Sequence, residues 1–236
     1  MALSVFQQRY KVDTQTVYMS LGSTLNLSAL SILLKEEFRV DNFFDNALVR
    51  RKNNFPKLKT RTFFNSLSFC FMFKGHRIHT KLFRTGMVHM SGLVTSELID
   101  LVTELIHRLV YTCHVKNEQE YNEKDVHVIE TLQTYKIQDI RTVMIHGVYA
   151  HPRRINRLEA FKLLQAQNFN VKYDPKLHNA LNIRFVNDTT GKTGDGSFLI
   201  FESGKIIITG GRSVEKYETR FNEIMNVIET LACYDL

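Results

Sequence analysis

Gly191-Lys192-Thr193 ends as a phosphate-binding loop ends, with a lysine and a hydroxyl placed to hold phosphate and its metal. That loop also needs a glycine five residues before Gly191, and position 186 is Val. Gly191, Gly194, Asp195 and Gly196 read better as a hairpin turn. His76, His79 and His89 are close enough in sequence to suggest a metal site, but no acid or cysteine beside them completes a ligand set. Cys70, Cys113 and Cys233 are far apart and odd in number, which suits a reducing compartment and gives no disulfide framework. No nucleophile, base and orienting acid group by spacing, so an enzyme is unsupported, and no cofactor is expected.

What does recur is aromatic. Phe83, Gly86 and Gly92 are repeated as Phe201, Gly204 and Gly210, at a constant offset of 118. A second echo sits upstream, where Tyr10-Lys11-Val12 answers Tyr135-Lys136-Ile137 and Gly22 answers Gly147, at an offset of 125. Two echoes in the same order imply a duplicated half. A duplicated half gives a pseudo-symmetric molecule, which suits a target that is itself nearly two-fold symmetric, such as duplex DNA. The balance of 31 Lys+Arg against 24 Asp+Glu leaves a net charge of +7, which favours anionic partners. The first twenty residues carry Gln7, Gln8, Arg9, Lys11 and Asp13, not a secretory apolar region, and no apolar run is long enough for a membrane span.

The elements that position these residues repeat in order. Alternation predicts a strand over 10–21, a helix over 24–38, strands over 63–73, 78–84 and 86–91, and a helix over 93–111 with Val94, Leu98, Leu101, Leu105 and Leu109 on one face. The second half predicts a strand over 136–146, a helix starting near Pro152, strands over 180–187, 196–202 and 204–209, and a helix over 213–233. That last helix turns Tyr217, Phe221, Ile224, Ile228 and Leu231 inward. The expected domains are a first repeat over 1–115 with an insertion at about 39–61, a polar, net acidic connector over 116–134, and a second repeat over 135–236. The segment 50–61 is rich in Lys and Arg, consistent with phosphate contact, nuclear import or a solvated loop. The class is α+β, with an antiparallel sheet and helices on one face.

In the second half both faces of the paired strands are largely apolar. Phe198 and Ile200 face one way and Leu199 and Phe201 the other, while Ile206 and Ile208 alternate with Ile207 and Thr209. A sheet with one face in water should have a polar outer face, so something should cover the second face. A further protein layer would do so, but all the predicted helices are already assigned.

The strings Leu199-Ile200-Phe201-x-Ser203-Gly204-Lys205-Ile206, Thr209-Gly210, Tyr173-Asp174-Pro175-x-Leu177 and Lys136-Ile137-Gln138 resemble those of the TATA-box-binding protein family. The likeness is strong over 173–231 and weak over 10–92, and suggests a divergent member of the type encoded by large DNA viruses. The resemblance implies a saddle, a curved ten-stranded antiparallel sheet with four helices on its convex face. The uncovered face would be greasy, lined by matched aromatics from two related lobes, and would bind the minor groove of AT-rich promoter DNA. This family is itself the standard example of apolar wedges kinking a duplex, with a bend of about 80°.

By the same resemblance the wedges are Phe64, Phe83, His178 and Phe201. Burying a Phe returns about 4–6 kcal/mol as an upper bound, against a few kcal/mol for unstacking a step. The groove floor would be Thr14, Thr16, His89, Ser91, Asp139, Arg141, Leu199, Ile207 and Thr209. A smooth floor accepts AT pairs and excludes the guanine amino group. Thr14 and Asp139 stand where the family carries Asn. An ionised Asp is acceptor-only, so it should weaken binding unless Arg141 neutralises it. Asp174, Lys176 and Leu177 match a segment that meets the basal factor TFIIB, with Lys176 in place of an acid. The implied partners are double-stranded DNA, a TFIIB-like factor and RNA polymerase machinery. The implied location is the nucleus, or a cytoplasmic viral factory. Self-association through the uncovered face, and a saddle-shaped protein-binding adaptor with little DNA specificity, are the alternatives that the residues leave open.

Overall fold

The computed structural model describes residues 4–37, 65–121, 126–186 and 193–233. The chain forms two compact units, Thr16–Thr142 (the first unit) and Val143–Leu236 with Met1–Gln15 (the second). Two strands, β1 (Tyr10–Ser20) and β5 (Gln138–Ala150), contribute residues to both.

The first unit adds helix α2 (Leu27–Glu37), strands β2 (Ser66–Phe73), β3 (His76–Phe83) and β4 (Met87–Leu93), and helix α3 (Ser96–Lys116). Its strands lie in the order β2-β3-β4-β1-β5. Val17, Met19, Leu67, Phe69, Ile78, Leu82, Val88 and Met90 alternate inward and are buried with Leu30 and Leu34 of α2 and Val102, Leu105, Ile106 and Leu109 of α3. The α3 stripe is displaced from the expected one. Leu101 is exposed, and Val102 and Ile106 take the buried positions. Thr95 starts the helix, its hydroxyl accepting from the Leu98 amide at 3.1 Å. Residues 126–135 pack here as well, with Val128 and Ile129 buried and Leu25 bridged to Ile129.

The second unit contains a short helix α1 (Val5–Arg9), helix α4 (Arg157–Ala166), strands β6 (Val171–Lys172), β7 (Leu181–Val186), β8 (Thr193–Ile200) and β9 (Lys205–Thr209), and helix α5 (Val214–Glu229). Its strands run β1-β5-β9-β8-β7-β6. Phe198, Ile200, Ile206 and Ile208 are buried beneath Ala160 and Leu164 of α4 and Phe221, Ile224 and Ile228 of α5. The helix expected near Pro152 begins instead at Arg157. Asn156 caps it, its side chain accepting from the Glu159 amide at 3.3 Å, and Pro152 lies in the preceding loop.

The repeat is visible in backbone detail. Gly86 and Gly204 are both left-handed, at φ 79° and 84°, as are Gly92 and Gly210, at 96° and 102°. A Cβ at Gly86 would lie 2.0 Å from the Ser23 carbonyl oxygen, and one at Gly204 2.5 Å from that of Arg153. Upstream, the matching offset is 130, not 125. Leu21 donates to the Gly86 carbonyl and His151 to the Gly204 carbonyl, each at 2.9 Å. Leu25 donates to Arg84 at 2.8 Å and Ile155 to Glu202 at 2.9 Å. Asn26 and Asn156 each accept from the first turn of the following helix. Gly22 is left-handed at φ 70°, while Gly147 lies within β5 against Tyr10 and Lys11, so that pair is not equivalent.

The fold is therefore α+β, an open antiparallel sheet with helices, with nine strands among the described residues. Among those residues no helix is long and apolar enough to cross a membrane.

Candidate nucleic-acid interface

In each unit the sheet face turned away from the helices carries no further layer of described residues. On the second unit, strand register builds two rows across it. Val148, Ile207, Leu199 and Asn182 are successive partners from β5 through β9 and β8 to β7. His146, Thr209, Ser197 and Arg184 form the next row. Val148, Leu199, Ile207 and Thr209 are half-buried, while their neighbours Phe198 and Ile208 are fully buried on the helix side. The Asn182 side-chain oxygen Oδ1 is buried without a hydrogen-bond partner.

Phe201 follows β8 in the turn to β9, half-buried and on the same side as Ser197 and Leu199. Its turn closes with Gly204 donating to the Phe201 carbonyl at 3.1 Å. The His178 ring lies 6.4 Å from the Phe201 ring, centroid to centroid. His178 Nδ1 accepts from the Ala180 amide at 3.1 Å, which leaves Nε2 as the exposed donor of the neutral ring. Beside Phe201 is a shallow depression lined by Arg154, Arg157, Asn179, Glu202 and Ser203. Arg157 stacks on Tyr173, 5.6 Å from its centroid, and pairs with Glu202, which Arg154 also contacts.

The first unit builds corresponding rows from different side chains. Ser68, Lys81 and His89 are partners across β2, β3 and β4, as are Cys70, His79 and Ser91. The 118 offset places Lys81 opposite Leu199 and His89 opposite Ile207 in the repeat. The expectation of a greasy face in both lobes is therefore corrected, since here the centre is basic and polar. The Tyr18 ring meets His89 edge-on at 4.7 Å. Arg77 donates from Nε to the Cys70 sulfur at 3.1 Å. Burial, and then Lys81, holds the His89 imidazole below its ordinary range, while burial, and then Arg77, does the same for His79.

Residues 150–231 match the family model of transcription factor TFIID (or TATA-binding protein, TBP). The match covers α4 to α5, with the whole apolar face of the second unit beyond β5. Among solved structures, the TBP of Methanococcus jannaschii resembles the chain with a TM-score of 0.56 and 16% sequence identity, covering 94% of this chain and 98% of that one. No curated protein sequence matches the chain. The fold is the TATA-binding-protein fold.

Within that fold, Phe201, His178, Leu199, Ile207 and Thr209 occur together on the second unit. Phe83 ends β3 opposite Ser66, half-buried, with His89 and Ser91 on the same face of the first unit. Phe64 and the basic segment 50–61 lie outside the described residues, as do Gly191 and Lys192. Thr16 is buried, at 7% exposure, in the first unit, whereas Thr14 belongs to the second. Asp139 and Arg141 are exposed residues of the first unit and form no ion pair with each other. Asp139 has a left-handed backbone at φ 51°. Asp174, Lys176 and Leu177 form an exposed turn in which the Asp174 carboxylate accepts from the Lys176 amide at 3.0 Å and Leu177 is 84% exposed. His76, His79 and His89 join no metal-type cluster among the described residues.

Three contributors were not singled out from sequence, namely Lys81, Asn182 and Arg157. Lys81 had a readable signal, as it stands 118 residues before Leu199 in the repeated string. Asn182 and Arg157 had none, because their roles depend on strand register and on contacts between distant loops.

Proposed function

We propose that this protein is a DNA-binding transcription-initiation factor of the TATA-binding type, which binds the minor groove of AT-rich promoter DNA and kinks it. The observation that carries this reading is the second unit's face. Val148, Leu199 and Ile207 form an apolar floor with no helix over it, Phe201 and His178 stand at its end, and the match to the TBP family model spans most of it. Phe201 is the principal wedge, with His178 stacking beside it, and the corresponding first-half pair is Phe83 and Phe64. The floor side chains Thr14, Thr16, His89, Ser91, Leu199, Ile207 and Thr209 tolerate AT pairs. The reaction is binding and bending, with no covalent step. The turn Asp174–Leu177 presents an exposed apolar side chain and a cation to a TFIIB-like factor, through which polymerase machinery would be recruited.

A duplex labelled at both ends with a fluorescent pair reads binding and bend together. The AT-rich duplex is expected to bind and bend, a GC-rich one to bind less well, and Phe201→Ala to bind with little bending. Equal binding of both duplexes with no bend would remove the reading.

A second reading, a protein-binding adaptor, is favoured by Asp139, an exposed acid that a negatively charged groove would repel. Asp139→Asn separates the two. Asn tolerates the left-handed backbone, so tighter AT-rich binding places residue 139 at the groove, and unchanged binding favours the adaptor.

A further inference from the structure

Corresponding positions of the two units carry opposite chemistry. On the second, the central row is Ile207, Leu199 and Asn182; on the first it is His89, Lys81 and Ser68. Lys81 is exposed and, among the described residues, forms no ion pair. Arg77 and His79 are exposed on the same side of β3. The open-face positions of β2, β3 and β4 (residues 66, 68, 70, 72, then 77, 79, 81, 83, then 87, 89, 91) include no Asp or Glu. The hairpin's other cation, Lys74, is already turned to Glu97 at 4.0 Å. On their open side these three strands gather cations and carry no acid, which fits a polyanion.

We propose that the first unit holds duplex DNA by charge, with Lys81 neutralising a backbone phosphate, whereas the second holds it by apolar contact. This rests on the DNA-binding reading above. A phosphate contact releases a condensed counterion, and an apolar contact does not. Each neutralised phosphate therefore steepens the dependence of log affinity on log salt by about 0.9. The two units then differ in what weakens them: salt loosens the first and leaves the second.

The test is a salt titration of duplex binding with the full chain. Lys81→Leu, which copies the second unit's residue, is expected to flatten the slope by about 1, with Lys81→Arg restoring it. Leu199→Ala is expected to lower affinity several-fold with the slope unchanged. Lys81 is exposed, so an unchanged melting temperature for its variants establishes that the fold is intact. An unchanged slope in Lys81→Leu, or tighter binding, overturns the proposal and leaves an acidic protein segment as the partner of this face. Wild-type binding without bending, but with the Lys81 effect present, sinks the minor-groove reading alone. No duplex binding at any salt sinks both.

Discussion

Arg157 Nη2 donates to Glu202 Oε2 at 2.9 Å, while Nη1 of the same guanidinium donates to the Asn179 side-chain oxygen at 2.6 Å and to the Asn179 carbonyl. Asn179 follows His178, and Glu202 follows Phe201. A single side chain, packed on Tyr173, thus ties together the two loops that set the aromatic pair 6.4 Å apart.

Arg157→Met is expected to affect function as well as stability. Glu202 and Asn179 are exposed but the Arg157 side chain is largely buried, so losing the ion pair and hydrogen bonds should cost about 1–3 kcal/mol. The loops also lose their shared anchor. The bend angle read by fluorescence should fall while affinity changes little. Arg157→Lys should not restore it, because an ammonium cannot span both loops as a planar fork does. A bend angle equal to wild type would show that the loops hold themselves.

Phe198 and Phe201 are three residues apart on opposite faces, and truncating them should affect different properties, stability at the first and bending at the second. Phe198 is fully buried against Phe221 and Phe185, so Phe198→Ala should cost about 3–5 kcal/mol in urea unfolding. Half-buried Phe201 should cost about 1–2 kcal/mol, with loss of bending. A larger stability loss at Phe201 than at Phe198 would mean that the faces are assigned the wrong way round.

Acid should move stability and binding in opposite directions. The folded state holds His79, His89 and His114 below the ordinary imidazole value of 6.5, each mainly through burial. Glu118 opposes the shift at His114, while Arg77 and Lys81 reinforce it at His79 and His89. The unfolded chain therefore takes up protons first. Stability is complete above 6.5 and is lost as pH falls through the folded values. DNA phosphate favours the imidazolium, so affinity for duplex should rise over the same interval. Urea midpoints and fluorescence titrations between about pH 7 and pH 5.5 measure both. Binding that weakens in step with stability would count against His79 and His89 facing DNA.

Cys70 gives a footprint of the first unit's face. It is half-buried beside Arg77 and His79, whereas Cys113 is buried in the core. A small alkylating reagent should modify Cys70 before Cys113, and AT-rich duplex should slow the modification of Cys70 without changing Cys113. Unprotected alkylation at saturating DNA would show that this face stays open in the complex.

Much of the fold was legible because its periodicities are strong. The paired strands, the turn glycines and the stripe Tyr217, Phe221, Ile224, Ile228 follow from alternation and helical spacing alone. Errors arose where a weak local signal competed with a stronger contact. Pro152 suited a first helical position, but Asn156 supplies the cap, and Gly22 resembled Gly147 only as a residue type. The Thr95 and Ser213 caps, also 118 apart, carried the repeat more faithfully. At the candidate interface, aromatic and apolar residues were readable from the repeated string. The basic centre of the first unit was readable only in part: Lys81 stands 118 residues before Leu199, but only register sets it beside His89 and Ser68.

Residues Ser4–Tyr10 fold with partners that are translated much later. Phe6 stacks on Tyr10 at 4.8 Å and lies against Tyr149 and Phe221, while the Ser4 hydroxyl reaches Glu218. The first unit is continuous in sequence, Thr16–Thr142, whereas the second joins this segment to residues that are made after Thr142. The two units thus mature on different clocks, and a fusion placed before Ser4 would burden the unit that is synthesised last.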